Sequence, residues 1–106
     1  QANQELVSGI RDKYGDETAL DVSTGPGNVA VRSIKQAVEN AGGSSASDIQ
    51  SGLRDFQMDS SPVGPVSMGP DQQLQTTYML GQINDVPEYE VIESSDPIVP
   101  DQTCSF

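Results

Sequence analysis

The side chains of this sequence that could act as nucleophiles have no histidine to activate them. The chain contains no His, so the commonest general base and the commonest metal ligand are both absent from it. The Gly-x-Ser-x-Gly and Ser-x-x-Lys patterns that mark activated serines do not occur either. The sequence therefore predicts a protein that is not an enzyme and that needs no cofactor.

Cys104 is the single cysteine and lies near the C-terminal end of the sequence. It stands in a polar segment with Asp101 nearby, and a neighbouring carboxylate disfavours the thiolate form of a cysteine. A lone cysteine forms no internal disulfide and no Cys-rich metal site. We expect Cys104 to be half of a disulfide whose partner lies outside this sequence, and not a nucleophile.

Carboxylates are the most abundant side-chain groups that could take part in acid–base chemistry or bind a cation. Sixteen Asp and Glu face five Lys and Arg, which gives a net charge of −11, and that charge would repel a nucleic acid. Neighbouring acids, such as Asp16 with Glu17 or Glu88 with Glu90, have nothing beside them in the sequence that would desolvate them. We interpret the acids as a solvated surface of the kind that halophilic proteins carry. A cation site is the alternative, but no Asp-x-Asp-x-Asp-Gly loop supports it.

The apolar residues are few for a chain that must build its own core. Hydrophobic residues make up 34% of the 106 residues, and Trp is absent, whereas globular domains average ~45–50% apolar residues. A chain of this length is one domain at most. No apolar run approaches the ~18 residues that a membrane-spanning helix needs. The composition predicts either a thin core or a core that other chain completes.

Three segments have the spacing of amphipathic helices. Residues 3–14 place their apolar side chains at i, i+1, i+4 and i+8, and Gly15 can supply a left-handed C-cap. We expect Gly25-Pro26-Gly27 to interrupt regular structure. Asn28, which follows, then predicts the N-cap of a helix over 28–41. A capping box at Ser47 and Gln50 predicts a third helix over 47–55. The expected buried face of the second helix consists of Ala30, Ile34, Ala37, Val38 and Ala41.

The segment that opens the second helix could also bind an anion. Backbone N–H groups at Gly25-Pro26-Gly27-Asn28 would be free to cradle a negative group. The segment lacks the Lys and the spacing of a phosphate loop. An ordinary capped helix start is the favoured interpretation.

Short strands follow the helices. A Gly- and Pro-rich strand and turn over 63–71 leads to a strand over 76–83, and 89–93 alternates so as to form a hairpin with it. Tyr78 and Tyr89 are expected to pack across the two strands. We divide the chain into a helical segment at 1–62, a strand segment at 63–93 and a tail at 94–106.

Five short motifs occur in order along these elements. They are Lys-Tyr-Gly at 13–15, Ala-Gly at 41–42, Gly-Pro-Val at 64–66, Asp71, and Tyr-x-x-Gly-Gln at 78–82. In this order they resemble the C-terminal third of the type I periplasmic solute-binding proteins. The most similar group is the branched-chain amino acid, amide and urea receptors of ABC transporters. A Tyr-Asp-Ala sequence that often opens the long helix of that family is absent here, where Asn28, Val29 and Ala30 stand.

The resemblance implies an α/β fold, a fragment of a two-lobed, doubly wound receptor with three helices followed by about three short strands. It implies an extracytoplasmic receptor of an ABC importer, lipid-anchored in the full-length protein. The partners it implies are a small polar solute, the transporter's membrane subunits and the missing N-terminal part of the same receptor. Because such ligands lie at helix N-termini beside a sheet, the candidate ligand-binding residues are Thr24, Gly25 and Asn28.

Other functions fit the same composition. The main alternative is a stand-alone, acidic α+β interaction module without a solute site. A ligand-sensing domain with the same fold comes next, and an enzyme last. Exposed apolar faces on the helices, at Leu6, Ile10, Ile34 and Val38, would favour the receptor fragment. A compact sheet of 76–83 and 89–93 that is fully covered by this chain's own helices would oppose it.

Overall fold

The computed structural model describes residues 1–70, 72–83 and 89–99, in which three helices precede five short strands. The predicted α/β class, helices followed by short antiparallel strands, is confirmed. The elements are α1 (Ala2–Tyr14), α2 (Thr24–Ala41), α3 (Ala46–Leu53), β1 (Gln57–Met58), β2 (Val66–Met68), β3 (Leu74–Thr76), β4 (Met79–Ile83) and β5 (Tyr89–Ser94).

Helix α1 forms where its apolar spacing predicts it. Leu6, Val7 and Ile10 share one stripe and are half-buried, and no residue of the helix is fully buried. The helix ends at Gly15, whose N–H donates to the carbonyl of Arg11 at 2.8 Å. Gly15 has φ 100° and ψ 155°, so its φ is positive, as expected of a C-capping glycine, but its ψ is not that of a left-handed helix.

Helix α2 begins at Thr24, and the prediction that Asn28 caps it is wrong. The Gly25-Pro26-Gly27 segment forms the first turn of the helix and does not break it. A proline is tolerated there because the first N–H groups of a helix have no acceptor within it. Asp21 stabilises the turn before the helix, because its carboxylate accepts a hydrogen bond from the N–H of Ser23 at 2.9 Å.

The buried face of α2 differs from the predicted one. Val29, Ser33 and Ala37 are buried, whereas Ile34 is 51% exposed and Ala30 and Ala41 are also exposed. Ser33 can be buried because its hydroxyl donates to the carbonyl of Ala30 at 2.8 Å. Hydropathy favours the most apolar stripe, but the buried row here combines Val29, which packs in the apolar cluster, with the small residues Ser33 and Ala37.

Gly52 in α3 is what brings the two helices close. A Cβ atom on Gly52 would lie 2.7 Å from the carbonyl carbon of Ala37 and would also overlap its oxygen. Ala37 is itself fully buried. The backbones of α2 and α3 therefore meet directly at this point, with no room for a side chain between them.

The capping box of α3 lies two residues before the predicted one. Ser45, not Ser47, is the N-cap, and Asp48, not Gln50, completes the box. The N–H of Asp48 donates to the Ser45 hydroxyl at 3.2 Å, and the N–H of Ser45 donates to Asp48 Oδ2 at 3.1 Å. Both pairs have the required spacing, but the charged carboxylate of Asp48 is the stronger acceptor. Hydrogen bonds from the side chain and then the backbone of Ser45 lower the pKa of Asp48 below its usual value of 3.8.

A three-stranded antiparallel sheet, in the order β1-β2-β3, carries the core. Met58 of β1 pairs with Val66 of β2, which in turn pairs with Thr76 of β3. Phe56 directly precedes β1 and is 1% exposed. The buried apolar cluster contains Val29, Phe56, Met58 and Val66, with Leu53, Val63 and Met68 packed against it. This core is thin, as the low apolar share predicts.

The predicted strand over 76–83 is divided between two sheets. β3 ends at Thr76 and β4 begins at Met79, with no strand at 77–78. β1 lies between the predicted third helix and the predicted strand and turn at 63–71, and its pairing with β2 crosses the boundary between the first two predicted segments. The division of the chain at 62/63 and at 93/94 stays a prediction.

The predicted hairpin of β4 and β5 is confirmed, with Leu80 opposite Glu93 and Ile83 opposite Tyr89. The predicted pairing of Tyr78 with Tyr89 is wrong, because Tyr78 precedes β4 and its carbonyl accepts from the N–H of Ser95, at the other end of the hairpin. The turn expected at 84–88 lies outside the described residues.

The hairpin is not covered. Every residue of β4 is exposed, although its two apolar faces predict a strand covered on at least one side. The Cα radius of gyration is 16.2 Å, compared with the ~13 Å of a compact domain of this length. Within the described ranges, no helix is both long and apolar enough to span a membrane.

Candidate functional site

A cavity of about 390 Å³ lies between α1 and the start of α2. Asn3 on α1 and Asp21 on the connecting loop supply polar atoms beside the predicted residues Thr24 and Gly25. Aliphatic side chains form the rest of the wall: Leu6, Val7, Leu20 and Val22. The wall thus combines one carboxylate, one amide and one hydroxyl with an aliphatic surface.

The polar atoms at the start of α2 are held by a local turn. The N–H of Thr24 donates to the carbonyl of Asp21 at 3.1 Å. The Thr24 hydroxyl accepts from the N–H of Asp21 at 3.2 Å and lies 3.3 Å from its carboxylate. The first turn of α2 contains no acidic residue, so Asp21 is the charge that faces the positive end of the helix dipole. The site can accept hydrogen bonds from an ammonium or amide N–H and can hold a short aliphatic chain.

Gly25 has a packing reason for being glycine. A Cβ atom there would lie 2.9 Å from Cγ1 of Val63 and 3.7 Å from Cβ of Pro62. The turn that carries Val63 is fixed by the buried Ser61, whose hydroxyl accepts from the N–H of Val63 at 3.2 Å. Gly25 therefore lets the start of α2 lie against this turn, whether or not a ligand binds beside it.

Asn28, the third predicted residue, lies one turn further along α2. It is half-buried, and it is not among the residues that line the cavity. The structure therefore brings Thr24 and Gly25 to one cavity and leaves Asn28 outside its wall. The role of all three in ligand binding stays a prediction.

Sequence reasoning missed Asn3 and Asp21. Asp21 forms an Asx turn with Ser23, two residues on, just before the helix starts, and an aspartate at this position was a signal available in the sequence. The contribution of Asn3 was not, because it depends on how α1 lies against the loop at 20–22.

A second cavity, of about 370 Å³, lies between α3 and the edge of the core sheet. Its wall is mostly aliphatic, with Ile49, Leu53 and Met68, and Arg54 lies at its rim. Its polar lining atoms come from ordinary surface residues. It shares no residue with the cavity beside α2.

Metal ligands do not gather in the described part of the chain. No group of three His, Cys, Asp or Glu residues there is close enough to hold an ion. Cys104 lies outside the described residues, so its predicted disulfide stays a prediction.

A family model described as a periplasmic binding protein domain matches residues 1–106. The chain belongs to this family. The predicted resemblance is thereby confirmed, and solute-binding receptors are what the family comprises in general. Its members are in general binding receptors without enzymatic activity, associate with transporters and normally lie outside the cytoplasm. No curated protein sequence matches the chain.

The cavity beside α2 suits a periplasmic binding protein domain in two respects. It is concave, and it combines a few polar groups with an aliphatic wall, as small-molecule sites do. Its polar groups lie at a helix N-terminus, where the Asp21 carboxylate faces the positive end of the helix dipole. The cavity beside α3 is also lined by a first helical residue, Ala46, but it has no carboxylate among the described residues of its wall.

Proposed function

We propose that this periplasmic binding protein domain serves as the solute receptor of an ABC importer for branched-chain amino acids, short amides or urea. The observation that carries the proposal is the cavity between α1 and α2, where Asn3, Asp21 and Thr24 stand over an aliphatic wall. Those groups match a small solute with N–H donors and a short apolar part.

The proposed roles follow from the chemistry of each group. The Asp21 carboxylate accepts hydrogen bonds from an ammonium or amide N–H of the solute, and charged acceptors make the stronger bonds. The Asn3 amide can donate to a solute oxygen. The Thr24 hydroxyl donates its hydrogen to Asp21 and can accept from a solute N–H through its second lone pair. Leu6 and Leu20 contact the aliphatic part, where burial of apolar surface adds affinity.

The proposed mechanism is closure of two lobes around the solute. A solute that contacts both lobes binds the closed form better and shifts the open–closed equilibrium toward it. The transporter's membrane subunits then recognise the closed form. In this proposal the receptor lies outside the cytoplasmic membrane, with a lipid anchor on the full-length protein, and a preceding part of the same receptor supplies the other contacts to the solute.

Isothermal titration calorimetry of the full-length protein with leucine, acetamide and urea tests the proposal. We expect one of the three to bind, and Thr24→Val to weaken that binding by roughly two- to tenfold, the effect of one lost hydrogen bond. Thr18→Val is the matched control, since Thr18 does not line the cavity, and it should leave the affinity unchanged.

Two results would count against this function. If none of the three solutes releases or absorbs heat, the proposed solute classes are wrong. If one binds but the two threonine variants behave alike, the solute binds elsewhere and the cavity beside α2 is not its site.

A small interaction module without a solute site is the second candidate function. The observation that fits it is the set of exposed apolar residues on both strands of the hairpin, which a protein partner could contact. A monomer of residues 1–106 that unfolds in one cooperative transition, with no heat of solute binding, would support the module over the receptor.

A further inference from the structure

The cavity beside α3 has a wall of two kinds. Ile49 and Leu53 lie one turn apart on α3, and with Met68 of β2 they form a half-buried aliphatic surface. Gln50 and Arg54 lie one turn apart in the adjoining row and are exposed. The cavity therefore combines an aliphatic surface with a polar rim, as sites for ligands with an apolar chain and a polar end do.

The wall of this cavity is built on the packed part of the chain. Leu53 and Met68 also pack against the buried apolar cluster around Phe56, which holds them in place. The volume of about 370 Å³ lies within the ~300–1,000 Å³ range of small-molecule sites. The shape of the cavity is therefore set by residues of this chain, independently of any further part of the receptor.

Arg54 carries the only charge among the described residues of the wall. Within residues 1–70, 72–83 and 89–99, the one ion pair joins Lys35 to Glu39, so no described carboxylate neutralises Arg54. Its guanidinium group presents N–H donors in a fork that matches the two oxygens of a carboxylate. A phosphate monoester carries nearly two negative charges at neutral pH, and one arginine would leave part of that charge unmatched. The rim thus favours a ligand with a single negative charge.

Gln72, in the turn between β2 and β3, has a backbone conformation that its side chain disfavours. Its φ is 62°, a left-handed value that glycine and asparagine adopt more readily. The N–H of Gln72 closes the turn by donating to the carbonyl of Gly69 at 2.9 Å. Glycine would form this turn with less strain, but it would remove an amide group from the wall of the cavity. That amide can donate a hydrogen bond to a ligand oxygen.

We propose that the cavity beside α3 binds an aliphatic carboxylate, a small molecule with one negative charge and an apolar chain. Arg54 binds the carboxylate through two parallel N–H···O bonds, and the amides of Gln50 and Gln72 donate further hydrogen bonds. The apolar chain lies against the aliphatic surface, where its burial adds affinity. The cavity shares no residue with the cavity beside α2, so this ligand is distinct from the solute proposed there.

Octanoate is the probe, and its binding to the full-length protein is measured by isothermal titration calorimetry. Octanol is the matched ligand, because it keeps the alkyl chain and replaces the carboxylate with a neutral group. We expect octanoate to bind more tightly than octanol by roughly two- to fivefold, the effect of one solvent-exposed ion pair.

Arg54→Gln tests the charge at the rim. The variant should weaken octanoate by roughly two- to fivefold and leave octanol unchanged. Arg32→Gln is the matched control, because Arg32 is an exposed arginine of α2 that does not line the cavity. It removes the same charge and should leave the affinity for octanoate unchanged.

Gln72→Gly separates a role in binding from a role in the turn. Without ligand, the variant should raise the midpoint of thermal unfolding, because glycine adopts a positive φ without steric cost. It should also weaken octanoate by roughly two- to fivefold, since one hydrogen bond to the carboxylate is lost. A more stable variant that binds octanoate as well as the unchanged protein would contradict the role of Gln72.

Three results would overturn the proposed site. Equal affinities for octanoate and octanol would show that the cavity is only apolar. Equal weakening by Arg54→Gln and Arg32→Gln would show that octanoate responds to overall charge and does not use this rim. No binding of octanoate to the full-length protein would show that the cavity is not a ligand site, as it would be if another part of the receptor filled it.

Discussion

Phe56 and Leu80 are both large apolar side chains in the strand-rich half of the chain, yet Phe56 is 1% exposed and Leu80 is 57% exposed. Phe56 lies between α3 and β1, where α2, α3 and the core sheet converge. Leu80 lies in a two-stranded hairpin whose backbone is paired, but every residue of its strand β4 is exposed. Equal hydropathy thus leads to opposite burial.

The difference shows that a strand can be paired with its neighbour without being part of the buried core. The helix–sheet region is held by close backbone contact at Gly52, by the cap of α3 and by the buried cluster around Phe56. The hairpin is held by its ladder of hydrogen bonds, which is worth little net free energy in water. We therefore expect stability to reside in the first region and the capacity for association in the second.

Truncating one aromatic in each region should give the largest contrast. We expect Phe56→Ala to lower the free energy of unfolding by about 3–5 kcal/mol, since it leaves a cavity in the only buried cluster of the described residues. Tyr78→Ala, which removes a side chain that is 60% exposed, should cost less than about 1 kcal/mol. Urea denaturation of both variants measures the contrast, and equal losses would mean that the hairpin is packed in solution.

Two glycines in helices provide the next contrast. Gly52→Ala should lower the free energy of unfolding by about 1–3 kcal/mol, because its methyl group would overlap the backbone of Ala37. Gly9→Ala should raise it by about 0.5–1 kcal/mol, because a methyl group there meets nothing within 4 Å and alanine favours a helix. Thermal denaturation distinguishes them. A stabilising Gly52→Ala would contradict the close contact of α2 and α3.

The cap of α3 should contribute about 1 kcal/mol. Ser45→Ala removes the acceptor for the N–H of Asp48 and should lower stability by that amount at neutral pH. Ser47→Ala, at the position that sequence spacing favours, is the control and should cost less than about 0.5 kcal/mol. A larger loss of stability for Ser47→Ala than for Ser45→Ala would show that Ser47 caps the helix.

The same cap gives the protein an acid-sensitive element. The pKa of Asp48 is lower in the folded chain than its usual value of 3.8, so its stabilising effect is complete above that value. The effect is lost as pH falls below 3.8 toward the lowered pKa. Asp48→Asn should therefore flatten the pH dependence of the free energy of unfolding below pH 4, because the variant lacks the carboxylate that titrates there. An unchanged slope would show that Asp48 is free in solution.

The smallest effect is expected at Ile83. The side chain is 84% exposed, so Ile83→Thr, which keeps a β-branched residue in the strand, should change the free energy of unfolding by less than about 0.5 kcal/mol. Urea denaturation of the variant measures this. A large loss of stability would contradict the expectation that the helix–sheet region, and not the hairpin, holds the stability of the chain.

The elements were predictable where a local signal had no competitor. The stripe of Leu6, Val7 and Ile10 and the Gly15 that follows it place α1 within a residue of its observed bounds. Local signals failed where two of them competed. The Ser45/Asp48 and Ser47/Gln50 pairs have equal spacing, and the first turn of α2 contains a Gly-Pro-Gly segment that commonly ends helices.

The candidate site was predictable in position but not in composition. A helix start after a polar loop pointed to Thr24 and Gly25, and both line the cavity beside α2. Asn3 joins them from 21 residues away in the chain, and such a meeting depends on helix packing that no local pattern encodes. Asn28 was chosen as a site residue because it was the predicted N-cap. The helix starts at Thr24 instead, which leaves Asn28 one turn inside the helix.

By itself the sequence determined the class of the fold, the family and the acidic surface, because these follow from periodicity, the order of motifs and composition. Only the tertiary structure decided which stripe of α2 is buried and which half of the strand-rich region is covered. The physical reason is that hydropathy measures what a side chain prefers, whereas burial requires a surface to meet. At Ala37 that surface is the backbone at Gly52, and for β4 the described chain supplies none.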